Sequence, residues 1–146
     1  MKGRKRIRAG SQLAGYYNKS FGAVPDFVQK FEEYTPGAME GYARWRDAVV
    51  AEAPRGPFDR KYNELFILAV DTTRGSIPGA KIHVRKALEA GATLEELHRV
   101  FAIVAFACGL PTYSSYGFPL MKYAEEYDKR ERKGTALGPT RRSATS

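Results

Sequence analysis

Apolar residues recur at three- and four-residue spacings along most of the chain, and nowhere do they alternate with polar ones over the length of a strand. The pattern predicts an all-α protein of six or seven helices. Leu13, Tyr16, Tyr17 and Phe21 share one side of a first helix that Gly22 stops. Pro25 opens a second through Tyr34, with Phe27, Val28 and Phe31 as its apolar set. Thr35 and Pro36 read as cap and first turn of a third helix to about Glu52, striped by Met39, Tyr42, Ala43, Val49 and Val50. The run 53–57, APRGP, is the plainest break.

Beyond that break lies the stretch on which the rest depends, ELFILAVDTTRGSIPGAKIH, residues 64–83. It reads as an apolar helix over 60–73 capped by Asp59, a Gly/Pro interruption, and a helix from Pro78 to Glu89. A helix this apolar on all sides belongs in a core or between subunits. If the bend falls near residues 74–76, Glu64 and His83 each lie about ten residues from it and face each other across the hairpin. Thr93 and Glu96 form a capping box for the next helix, whose face is Leu94, Leu97, Phe101, Val104 and Cys108. Residues 109–111 end it. Thr112 is placed to cap a last helix to about Arg130, with Tyr113, Tyr116, Leu120, Ala124 and Tyr127 on one side.

At 146 residues the chain fits one domain, expected over 11–130 with basic, mobile tails at 1–10 and 131–146. The formal charge of +8 sits mainly in those tails, at Lys2, Arg4, Lys5, Arg6 and Arg8 and from Lys129 to Arg142, while the body is close to neutral. Such ends read as solvated rather than as a nucleic-acid interface. No apolar run reaches the roughly 18 residues of a membrane span, and no apolar segment of a secretory signal follows residues 1–8. A single cysteine excludes an intrachain disulfide and suits a reducing cytoplasm.

Candidate chemistry concentrates on the hairpin. A carboxylate on an apolar helix is costly unless paired, and a neighbouring carboxylate fixes the imidazole tautomer that acid/base work uses. Glu64 and His83 are therefore the catalytic candidates, with Lys81 and Arg85 as cations for an anionic substrate. His98 reads as a surface residue. Cys108, on an apolar face, reads as a core cysteine and only secondarily as a reactive thiol. Neither a metal-ligand spacing nor a phosphate loop is present.

The segment from Glu64 to Pro111, and HVRKALEAGATLEEL within it, resembles the carboxymuconolactone decarboxylase / alkylhydroperoxidase AhpD-like family. The likeness implies an all-helical fold assembled as trimers or hexamers, with a pocket near the subunit contact. In the AhpD branch a Cys-x-x-Cys precedes the shared His, and a Glu on the preceding helix completes a proton relay. Carried over, that Glu is Glu64 and that His is His83, while the cysteine positions hold Ser76 and Gly79. Thiol peroxidase chemistry is thus not expected. The decarboxylase branch acts on a carboxylated lactone without metal or organic cofactor. Its His and Glu in the turn before the shared His are here Pro78 and Gly79. The resemblance implies a cofactor-free lyase-type enzyme on a small carboxylated molecule, with an AhpD-like thiol oxidoreductase-related protein or a non-catalytic ligand-binding oligomer as the alternatives.

Overall fold

The computed structural model describes residues 11–136. The basic residues from Lys2 to Arg8, together with Arg141 and Arg142, lie outside the described residues. Within them are seven helices of at least 9 residues and no strand; one isolated bridge pairs Glu52 with Phe58. The helices group into two compact units, one through Asp59 and one from Arg60.

The first unit holds α1 (Gln12–Phe21), α2 (Asp26–Tyr34) and α3 (Ala38–Val49). Its core is Leu13, Tyr17, Val28, Met39 and Ala43. Ser11 caps α1 by accepting from the Ala14 N–H at 3.1 Å. The expected start of α3 at Thr35-Pro36 is corrected. The helix begins at Ala38, because the Glu32 carboxylate reaches forward to the N–H of Gly37 at 2.7 Å and of Met39 at 3.4 Å. The expected apolar sets are also too wide. Phe27 and Phe31 on α2, and Tyr42, Trp45 and Val49 on α3, are exposed.

The second unit is built on α4 (Arg60–Thr73), α5 (Ile77–Glu89) and α6 (Leu94–Cys108). A single turn, α7 (Leu110–Thr112), and a π-helical segment, Tyr113–Gly117, lead into α8 (Phe118–Ala136). Leu65 and Leu68 of α4, Ala80, Val84 and Ala87 of α5, Leu97 and Phe101 of α6, and Leu120 and Ala124 of α8 make one core. The α4–α5 hairpin is the most extensive helix contact among the described residues, with small residues of α5 in the shared core. Gly75 turns the hairpin at φ 67°, the left-handed region that favours glycine, and a Cβ there would lie 2.8 Å from the Tyr116 ring.

Both bonds of the Thr93–Glu96 capping box form, at 3.1 and 2.9 Å. The far end of α6 departs from expectation. Cys108 is exposed rather than buried, because the face that reaches the core stops at Val104. Thr112 caps no helix; its hydroxyl donates back to the Cys108 carbonyl at 3.1 Å. The last helix also outruns its expected end at Arg130, reaching Ala136. Asp128 and Arg132, one turn apart and bonded at 2.7 Å, support that extension.

Candidate functional site

Glu64 and Asp71 lie seven residues apart on α4, two turns along one face and about 10 Å in axial rise. His83, on α5, stands between them. Its Nδ1 is 2.6 Å from Oε2 of Glu64, and its Nε2 is 3.9 Å from Oδ2 of Asp71. All three side chains are largely buried, with 14% of the His83 and Glu64 side chains and 17% of Asp71 exposed. An ionised carboxylate only accepts, so Nδ1–H donates to Glu64, and Nε2 is left facing Asp71. The longer gap exceeds a direct hydrogen bond.

Burial pushes the Asp71 carboxyl above the ordinary carboxylate value, against the opposing charges of His83 and Arg74. Its position depends on Gly79. A Cβ added there would lie 2.5 Å from Oδ2 of Asp71 and 3.0 Å from Oγ of Ser76. The Ser76 N–H donates to the Asp71 carbonyl at 2.9 Å, tying the first turn of α5 to the end of α4. Asp71 thus packs its carboxyl against Gly79 and is tied through its own carbonyl to Ser76.

The structure brings Glu64 and His83 together but sends the other candidates elsewhere. Lys81 and Arg85 lie two residues either side of His83, about 200° round the helix, so neither shares its face. The Lys81 ammonium lies 5.2 Å from the centre of the Tyr123 ring, and Arg85 Nε is 3.6 Å from Glu89. His98 is at the surface, edge-on to Tyr113 at 6.4 Å. Cys108 belongs to the far end of α6 rather than to the hairpin turn. Among the described residues, no group of three or more His, Cys, Asp or Glu side chains is placed to hold a metal ion. Asp71 is the residue that sequence reasoning missed. The signal was present in its spacing of seven from Glu64, just past the apolar run that ends at Val70.

The central hairpin of this all-α body thus sets one imidazole between two carboxylates. The family model "Carboxymuconolactone decarboxylase family" matches residues 36–123, more than half the chain, and the chain belongs to that family. A crystal structure of a candidate carboxymuconolactone decarboxylase from Burkholderia xenovorans LB400 shares the fold. Its TM-score is 0.72 at 25% identity, covering 84% of this chain and 93% of that one. An uncharacterised protein of Methanocaldococcus jannaschii is 36% identical over 55 residues, 38% of this chain and 51% of that protein. The chain thus spans about half the length of the curated relative it matches. No helix among the described residues is long and apolar enough to cross a membrane.

Proposed function

We propose that this protein is an acid/base enzyme that needs no cofactor and acts on a small carboxylated organic molecule, by decarboxylation or related lactone chemistry. The observation that carries the reading is the 2.6 Å bond between Glu64 and Nδ1 of His83 inside the α4–α5 hairpin. It holds the ring in one tautomer and leaves Nε2 for the substrate, the arrangement that general acid/base catalysis requires. Family membership and a structural neighbour named for the decarboxylase support it. Ser76 and Gly79 at the thiol positions favour it over peroxidase chemistry, which needs a vicinal pair.

Arg74, whose charge acts on Asp71 from the hairpin turn, replaces Lys81 and Arg85 as the cation assigned to the substrate carboxylate. Replacing it by Ala is expected to raise KM about tenfold, near 1.4 kcal/mol of binding. The working form is a homo-oligomer, a trimer or hexamer, supported by the exposed apolar residues of α4 and α6.

Carbon dioxide release from a panel of small lactone carboxylates and β-keto acids, carboxymuconolactone included, tests the reading. Wild type is expected to turn over at least one compound, and Glu64→Gln to lose most of that activity. Equal rates in the two proteins would contradict the assignment.

A further inference from the structure

Two carboxylates around one imidazole pose an electrostatic difficulty for the reading above. If both were ionised, their charge would repel the carboxylate of the substrate. Only one of them is bonded to the ring. Glu64 is engaged at 2.6 Å, whereas Asp71 stands 3.9 Å from Nε2 with its carboxyl in the space that a side chain at 79 would fill. Position 79 is where the family comparison puts a thiol. In this chain that volume holds an oxygen acid reaching in from the opposite helix.

We propose that Asp71 is a second catalytic residue, delivering a proton to a substrate bound beside its Oδ2 and Nε2 of His83, which lie 3.9 Å apart. The proposal rests on the acid/base reading and extends it to the reacting carbon. In a decarboxylation the C–CO2 bond breaks and its electron pair passes into the adjacent conjugated carbonyl, releasing carbon dioxide and leaving an enolate. The enolate carbon takes the proton from the Asp71 O–H, whose bonding pair stays on oxygen as carboxylate. Nε2 of His83 then relays a proton from solvent to Asp71. The balance is one substrate carboxylate and one proton in, one carbon dioxide and one C–H product out.

Asp71 in its acid form also removes the electrostatic difficulty, because one carboxylate rather than two then faces the substrate. Its burial favours that form. The groups acting on it are His83 from α5 and Arg74 from the turn, with Ser76 Oγ beside Gly79 as a neutral neighbour and the Tyr116 ring covering the turn at Gly75. Lys61 and Glu96 pair with each other at 2.8 Å near the start of α4, well away from it.

Two measurements on the full chain test this. The first needs no substrate: carboxyl carbon NMR titration, with Asp71→Asn identifying the resonance. Asp71 is expected to hold its proton above the ordinary aspartate value of about 3.9, and a midpoint at or below that value overturns the proposal. The second is the pH dependence of kcat/KM on whichever lactone or β-keto carboxylate wild type decarboxylates. Wild-type activity should fall as pH rises through the Asp71 midpoint. Asp71→Asn should lose about a hundredfold in kcat with KM little changed, and should lack that fall. Gly79→Ala, which drives the carboxyl off its position, should reproduce the loss without removing the acid. If His83→Gln is inactive while Asp71→Asn keeps wild-type kcat and pH profile, the Asp71 role is overturned and the acid/base reading stands. If His83→Gln keeps wild-type activity, both fall.

Discussion

Glu64, His83 and Asp71 are positioned by ordinary helix geometry. Two carboxylates at a spacing of seven share a face, and a hairpin of matched arms brings one imidazole between them. Glu64 and His83 could be read from sequence because each is costly where the pattern puts it, a charge and a titrating ring on apolar helices. Asp71 was harder to read: its spacing of seven from Glu64 was visible, but an acid beside the bend is unremarkable. Its approach to Nε2 of His83 and the closeness of Gly79 show that its carboxyl points inward. Removing Glu64 leaves a buried donor without its acceptor, so Glu64→Ala is expected to lower unfolding free energy by about 1–3 kcal/mol in urea titrations. Asp71 has the opposite signature. Its folded pKa is raised, so its contribution is fully present below the unfolded pKa and is lost as pH rises through the folded one. Asp71→Asn should therefore gain stability relative to wild type as pH climbs through that range. The scale is about 1.4 kcal/mol for each tenfold change in the carboxyl's proton affinity, read as Tm against pH. No such gain at neutral pH would mean that the acid is not buried as described.

Helix α6 shows what pattern conveys about an element and where it stops. Its capping box and its buried face, Leu97, Phe101 and Val104, follow directly from periodicity. Cys108 continues the same spacing but has no neighbour to cover it. It should react readily with a neutral-pH thiol reagent in the folded protein, and Cys108→Ser should keep full activity; a protected thiol would contradict the exposure. Glu96 is held below its ordinary carboxyl value by the Lys61 hydrogen bond and then by the Thr93 N–H. Its support for α6 is therefore present at neutral pH and lost as pH falls through the lowered value. Helix α4 is the more informative departure. It is apolar all round, yet only Leu65, Leu68 and Thr72 are buried, while Tyr62, Phe66 and Val70 form an exposed stripe one turn apart. Periodicity shows that a residue is apolar but not which partner covers it. Phe106, 93% exposed, makes the distinction measurable. Phe106→Glu should leave the fold within about 0.5 kcal/mol of wild type while lowering the mass seen by light scattering if α6 lies at a subunit contact. An unchanged mass would remove α6 from the interface.

At the scale of the molecule, all-α character and the hairpin were legible because helical period and Gly/Pro punctuation are local signals. The division into two units between residues 59 and 60 was not, since it depends on which faces find partners rather than on the faces themselves. The first unit buries Val28 but leaves Phe27, Phe31 and Trp45 exposed. The second buries a continuous core around Phe101. Phe101→Ala should accordingly cost about 3–5 kcal/mol. Family membership, the fold and the bonded Glu64–His83 pair support the proposed function, in which His83 moves a proton in turnover of a small carboxylated substrate. The most direct test is single-turnover carbon dioxide release by His83→Gln beside wild type, with circular dichroism and oligomeric mass checked on the same samples. The account predicts a loss of about a hundredfold or more in a protein otherwise unchanged; wild-type turnover by His83→Gln would contradict it.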